Sequence, residues 1–260
     1  MTSRPYLAVV HYDGVGFVGW QRQREGRTVQ AEFEDVLARL FGRRVTATGA
    51  GRTDTGVHAV GQGVGFLAGG RWLDDGIGLR RALNALLPRD VWVEQLHPMQ
   101  AGFHARKSAV ARRYRYVVGT DEGAQSPFRR PYEWALGRSL DTSLLDHASA
   151  DLIGDHDFRG LAAHGAARPD SRCRVALAEW APRADGAGVT FTIEADRFVH
   201  HMVRFIVGAM VDIALHRRPL SDFAVLLAAS DNQAASAPAP PQGLYLMAVR
   251  YPAALYAEVT

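Results

Sequence analysis

The pattern of apolar and polar positions in the first hundred residues predicts two helices among four strands. Apolar residues recur at helical spacing over residues 29–41 and about 77–87, where Thr28 can cap the first helix and Pro88 ends the second. Short β-prone runs predict the strands, at residues 6–11, 45–48, 63–67 and 91–96. The predicted order is therefore β-α-β-β-α-β.

Strand and helix alternate again in the rest of the chain. A strand is predicted over residues 107–118. The elements predicted after it are a helix (141–153), two strands (174–180 and 189–195), two helices (199–215 and 220–229) and a final strand (244–251). We therefore predict an α+β fold of two similar halves, residues 1–104 and 105–260, although no clear internal repeat relates them.

Composition and length are those of an ordinary globular protein. The 260 residues are 47% hydrophobic and 22% charged. The most apolar long segment, residues 198–215, carries several polar residues and is a poor membrane span. An apolar run at residues 6–10 is too short for a signal peptide, and the lone Cys173 excludes an intrachain disulfide. We expect a cytoplasmic protein without membrane association.

Basic residues cluster in one place, although the net charge is only +3. Between residues 101 and 119 there are five basic side chains and no acidic one: Arg106, Lys107, Arg112, Arg113 and Arg115. Tyr114 and Tyr116 alternate with them along the predicted strand. Aromatic rings interleaved with cations are typical of surfaces that bind RNA bases and phosphates.

One stretch combines turn residues with a carboxylate and a guanidinium. Residues 51–56 read Gly-Arg-Thr-Asp-Thr-Gly, between two β-prone runs. Such residues favour a tight turn, in which Asp54 bonds the backbone and Gly56 takes a positive φ. The same loop can also hold Arg52 and Asp54 over one pocket. Spacing by itself leaves both interpretations open.

Residues 51–59, Gly-Arg-Thr-Asp-Thr-Gly-Val-His-Ala, followed by Gly61-Gln62, resemble the active-site signature of the TruA family of tRNA pseudouridine synthases. Further blocks along the chain resemble the same family, at residues 12–14, 19–23, 84–88, 103–106, 113–116, 154–158, 198–204 and 243–246. The resemblance implies two ferredoxin-like halves, with largely antiparallel sheets that flank a central RNA-binding cleft. It also implies a homodimer.

The resemblance gives roles to particular residues. It implies that Asp54 is the catalytic carboxylate, that Tyr114 stacks on the flipped base, and that Arg204 lies against the carboxylate. Arg204 is predicted in the middle of an apolar helix, where an unpaired guanidinium is expensive. The implied substrate-binding residues are Tyr114, Arg52, Arg204, His58, Arg113 and Arg115. The alternatives are a core tyrosine, a structural ion pair at Arg204, and an Arg52 that touches only phosphate.

No cofactor or metal is expected. Pseudouridine formation is redox-neutral, and the sequence contains no phosphate-binding loop, dinucleotide fingerprint or His-Glu-x-x-His motif. His200 and His201 are adjacent, so on a helix they lack the i, i+4 spacing of a zinc pair. Two roles stay open for His58 and His201: contact with RNA, or a hydrogen bond in the core.

The resemblance predicts a synthase that converts uridines 38, 39 and 40 in the anticodon stem-loop of tRNA. Asp54 then attacks C1′, attacks C6 or removes a sugar proton, and the sequence does not choose among these steps. An RNA-binding module without catalysis shares the basic face but has no reason to keep Asp54, Arg52, Tyr114 and Arg204 together. A metal-dependent nucleic-acid hydrolase needs a ligand cluster that the sequence does not offer.

Overall fold

The computed structural model describes residues 3–163 and 171–258. The chain divides into two compact units, Met1–Val110 with Leu246–Thr260 and Ala111–Tyr245. Each unit combines helices with mainly antiparallel strands, so the predicted α+β class is confirmed. As a division into domains, the predicted halves 1–104 and 105–260 stay a prediction.

The first unit begins with the predicted β-α-β-β-α-β order. Its elements are β1 (Ser3–Tyr12), α1 (Val29–Phe41), β2 (Thr48–Gly49), β3 (His58–Gly69), α2 (Gly76–Leu86) and β4 (Val91–Pro98). β1 lies between β4 and β3, and both pairings are antiparallel. β2 pairs with β3, where Thr48 lies opposite Gly65. This is the order of elements of a ferredoxin-like unit.

The helices of this unit have clear start and stop signals. Thr28 caps α1 through its hydroxyl, which accepts a hydrogen bond from the Ala31 N–H, and Gly42 ends it with a φ of 64°. Asp75 caps α2 in the same way. The two helices pack against each other, and α2 packs on β4. The largest fully buried side chains of the unit include Trp20, Tyr6, Phe33, Leu7, Leu37, Leu79 and Leu83.

The second unit contains β5 (Ala111–Gly119), β6 (Trp134–Ala135), α3 (Thr142–Ala150), β7 (Gly154–Asp157), β8 (Arg172–Pro182), β9 (Gly188–Ala195), α4 (Met202–Ala214) and α5 (Ser221–Ala228). Its sheet has the order β5-β9-β8-β7 with antiparallel neighbours, and β6 pairs with β5 in parallel. α3 packs on α4 and β8. A last strand, β10 (Leu244–Arg250), follows, and its residues from Leu246 onward belong to the first unit, beside β3.

α4 is the most buried helix of the second unit. Eleven of its 13 residues are buried, which explains its apolar sequence. Within residues 3–163 and 171–258, no helix combines the length and the hydropathy that a membrane crossing needs.

Two predicted boundaries are wrong, for local reasons. The strand predicted from residue 107 begins at Ala111, because residues 104–108 form a turn in which the Ser108 N–H donates to the His104 carbonyl (2.9 Å). The helix predicted from residue 199 begins at Met202, because His201 takes a left-handed backbone conformation with φ 61°. Arg204 is therefore in the first turn of α4 and not in its middle.

The strand predicted over residues 45–48 is also wrong in extent. The observed strand covers only Thr48–Gly49, because side chains of α1 form hydrogen bonds with the backbone N–H and carbonyl of Ala47. The Glu34 carboxylate accepts from the Ala47 N–H (3.1 Å), and the Gln30 amide donates to the Ala47 carbonyl (2.9 Å). β3 is longer than predicted because its many glycines conceal the alternation of a strand.

Candidate active site

Asp54 lies on the loop that joins β2 to β3, and it is partly buried. The Val57 N–H donates to the Asp54 carbonyl (3.1 Å), and Gly56 between them has a φ of 78°. The loop therefore does form the turn that its composition favours. The turn uses the backbone of Asp54, so it does not exclude a chemical role for the carboxylate.

The residues before Asp54 are held from the protein side. Thr53 is buried, its carbonyl accepts from the Trp20 N–H (3.1 Å), and its hydroxyl shares a hydrogen bond with the Tyr12 hydroxyl (2.8 Å). The Gln62 amide on β3 donates to the Gly51 carbonyl (2.9 Å). Three hydrogen bonds thus hold the residues immediately before the carboxylate.

Two glycines let the segment after β1 approach this loop closely. A Cβ at Gly14 would lie 2.3 Å from the Val57 carbonyl oxygen, and one at Gly19 would lie 2.7 Å from the Thr53 carbonyl oxygen. Gly19 also has a φ of 101°, which side chains rarely tolerate. The sequence blocks at residues 12–14 and 19–23 therefore serve as the support of the Asp54 loop.

His58 belongs to the same support. The residue is 2% exposed, and its ring Nδ1 accepts a hydrogen bond from the Gly14 N–H (3.0 Å). A carboxylate oxygen of Asp13 lies 3.3 Å from the same nitrogen. Of the two roles left open by the sequence, the structure shows His58 in a buried hydrogen bond.

Arg52 and Asp54 differ in their surroundings although they share the loop. Arg52 is exposed. It lines a small pocket together with Trp20 and Arg106. An exposed guanidinium that lines a pocket suits contact with a polyanion more than support of the fold.

In the second unit, Tyr114 lies on the buried face of β5. The residue is 8% exposed, and its ring meets the Phe198 ring edge-on, with centroids 4.9 Å apart and an interplanar angle of 78°. Arg113 and Arg115 lie on the opposite, exposed face of the strand. Arg113 forms an ion pair with the buried Glu194 of β9 at 2.9 Å. Tyr114 and the two arginines therefore present different surfaces.

Arg204 is bound to the segment before β10. Its Nε donates to the Ala239 carbonyl (2.7 Å), and the Ala239 N–H donates to the Arg204 carbonyl (2.9 Å). The Tyr116 hydroxyl donates to the neighbouring Pro240 carbonyl (2.6 Å). Burial raises the pKa of Tyr116 well above its usual value, and the Arg204 charge opposes this only in part.

His200 and His201 precede α4 and lie face to face at a tilt, with ring centroids 3.9 Å apart. The left-handed backbone of His201 is unusual for a residue with a side chain and costs energy, which is typical of functional positions. It turns the chain into α4 just before Arg204. The expected absence of a metal stays a prediction.

Sequence reasoning missed the residues that support the site. Thr53, Gln30 and Glu34 are buried polar residues that received no role. For the last two a signal was present, because they are polar side chains at i, i+4 on the buried side of an amphipathic helix. Arg22 completes the group, since its Nε donates to the Glu34 carboxylate (2.9 Å).

Comparison with known proteins adds independent findings. The family model described as tRNA pseudouridine synthase matches residues 8–106 and 148–252. The chain is 39% identical to tRNA pseudouridine synthase A of Geobacillus kaustophilus over 257 residues, which cover 96% of this chain and 95% of the relative. It is 36% identical over 254 residues to tRNA pseudouridine synthase A of Leuconostoc citreum, covering 95% and 96% of the two chains.

Proposed function

The chain belongs to the family of tRNA pseudouridine synthases, and from this premise we propose that it converts uridines 38, 39 and 40 of the anticodon stem-loop. It is an isomerase that acts on uridines in tRNA. In this reaction the N1–C1′ bond breaks, the base turns over, and a C5–C1′ bond forms. The C5 proton leaves and N1 gains a proton, so the atoms balance without a cofactor.

The observation that carries the proposal is the support of the Asp54 loop. Hydrogen bonds from Trp20, Tyr12 and Gln62 hold residues 51–53, and Asp54 follows them with its side chain only partly buried. Fixed backbone on both sides positions the carboxylate for attack or proton removal without rearrangement, as enzyme catalysis requires. We assign to Asp54 the role of nucleophile or base.

The other roles concern substrate binding. Tyr114 stacks on the uracil ring, with Phe198 keeping the tyrosine ring in its orientation. Arg52, Arg204, Arg113 and Arg115 supply positive charge for the RNA. His58 acts indirectly, because its ring holds the segment that supports the Asp54 loop.

The assembly and the compartment complete the proposal. The enzyme is a homodimer that binds tRNA and works in the cytoplasm. Light scattering at the assay concentration tests the dimer. A monomeric species with full activity would contradict it.

The reaction itself is tested with unmodified tRNA that carries tritium at C5 of its uridines. We expect tritium release to water, and chemical mapping should place pseudouridine at positions 38, 39 and 40. Binding without tritium release would favour an RNA-binding module without catalysis. Pseudouridine at other positions only would contradict the proposed substrate site.

A further inference from the structure

A pocket opens beside the candidate catalytic loop, within the first unit. It lies between the N-terminal end of α1 and the backbone of residues 46–52. Its volume is about 140 Å³, about ten times the roughly 10–15 Å³ that one water molecule needs by the same measure. A phosphate group therefore fits inside it.

The lining of the pocket selects for an anion. Side chains that can donate hydrogen bonds line it, namely Arg52, Arg106, Thr46, Thr48 and Gln21, and none of its ten lining residues is acidic. Arg52 and Arg106 are both exposed at the protein surface. Guanidinium groups bind phosphate oxygens with short, charge-assisted hydrogen bonds. From this lining we infer that the pocket is a binding subsite for one phosphodiester group of the RNA substrate.

The wall of the subsite is rigid. Gln30, which contributes to this wall, uses its amide fully: Oε1 accepts from Gln21 and the Arg22 N–H, and Nε2 donates to Glu34 and the Ala47 carbonyl. The Gln30 side chain is thus scaffold and not ligand. A wall that is already ordered loses little entropy when an anion binds.

Chain distance decides which phosphodiester is bound. Arg52 and Asp54 are two residues apart, so at most about 7 Å of chain separates their Cα atoms. A phosphate bound by Arg52 therefore belongs to a nucleotide close in the RNA chain to the uridine that reacts at Asp54. This step rests on the proposed function, whereas the affinity of the pocket for a phosphodiester does not.

The test uses anticodon stem-loop RNAs in which one linkage at a time is replaced by an uncharged methylphosphonate. Affinity is measured by filter binding for the wild-type protein, for Arg106→Ala and for Arg81→Ala, a matched control from the exposed side of α2. In the wild type, replacement of one linkage beside the target uridine should weaken binding about tenfold, because a charge-assisted hydrogen bond is lost. Arg106→Ala should abolish this sensitivity, and Arg81→Ala should keep it.

Thr48→Val gives a second test that leaves every charge in place. It removes one hydroxyl from the pocket at almost constant shape, and the sensitivity of the same linkage should fall. If every linkage keeps its wild-type sensitivity in both Arg106→Ala and Thr48→Val, the subsite is refuted. The subsite is also refuted if inorganic phosphate competes with the RNA at constant ionic strength while no linkage loses its sensitivity in Arg106→Ala. The pocket would then bind free phosphate and not the RNA backbone.

Tritium release measured on the same proteins separates the two ideas. If one linkage loses its sensitivity in Arg106→Ala but the wild-type protein releases no tritium, the proposed function is overturned and the phosphodiester subsite is supported. If the wild-type protein releases tritium fully but no linkage loses its sensitivity in Arg106→Ala, the proposed function is supported and the subsite is overturned.

Discussion

Glu34 connects helix α1 to the segment that leads into the Asp54 loop, and its replacement gives a graded prediction. The carboxylate is buried, and it accepts hydrogen bonds from the Ala47 N–H, the Gln30 amide and the Arg22 guanidinium. Glu34→Gln keeps the shape and one carbonyl oxygen for the Ala47 N–H. Glu34→Ala removes every acceptor.

The geometry sets the expected magnitudes. In Glu34→Ala, the Ala47 N–H is left buried without this acceptor, which costs about 1–3 kcal/mol, and the lost side chain leaves a small cavity. We expect a total of about 3 kcal/mol. Glu34→Gln loses chiefly the ion pair with Arg22, whose side chain is 38% exposed and also binds Asp35. The Glu34 end of this pair is buried, but Arg22 is partly exposed and keeps Asp35, so the loss costs about 1 kcal/mol.

The assay is urea unfolding followed by tryptophan fluorescence, with free energies compared at equal slope. We predict that Glu34→Ala is about 2 kcal/mol less stable than Glu34→Gln, and this difference measures the satisfied backbone N–H of Ala47 together with the small cavity. Equal losses in both variants would refute this reasoning, because the charge and not the backbone contact would then stabilise the loop. Negligible losses in both would refute it as well.

Three further predictions follow from the second unit and the expected chemistry. Tyr116→Phe should cost about 1 kcal/mol through the lost hydrogen bond to Pro240. Because burial raises the pKa of Tyr116, its stabilisation is complete below about pH 10 and is lost as pH rises through the raised value. The free energy of unfolding, measured from pH 8 to 11, should therefore fall less steeply at alkaline pH in Tyr116→Phe than in the wild type. An equally steep fall in both proteins would contradict this. Arg115→Ala should reduce the slope of log affinity against log salt by about 0.7–0.9, whereas an unchanged slope would place the side chain off the RNA. Activity should survive a chelator when other cations support tRNA folding. Loss of activity that only one transition metal restores would contradict this prediction.

The sequence predicted the parts of the fold that depend on local signals. Thr28 and Gly42 mark the ends of α1 as expected, and Pro88 follows the end of α2. The α+β class follows from the alternation of strands and helices. The position of Asp54 on a loop between two strands was likewise predictable from its turn residues.

Other features depend on contacts between residues far apart in sequence. The strand before the Asp54 loop is interrupted because Glu34 and Gln30, 13 and 17 residues away from Ala47, take its backbone groups. The spacing of Gln30 and Glu34 on α1 marks them as buried polar residues, but it does not show which backbone groups they bind. The left-handed His201, which delays the start of α4, is equally invisible, because histidine has no preference for that conformation strong enough to predict it.

Asp54→Asn tests the central claim most directly, since it keeps the size and turn-forming ability of the side chain but removes its charge. The measurement is single-turnover tritium release beside a filter-binding titration, both with the same unmodified tRNA. A neutral amide offers no comparable electron pair, so we predict that turnover falls by several orders of magnitude while tRNA binding persists or tightens. Near-native tritium release from a folded Asp54→Asn protein would contradict the role of Asp54 as nucleophile or base.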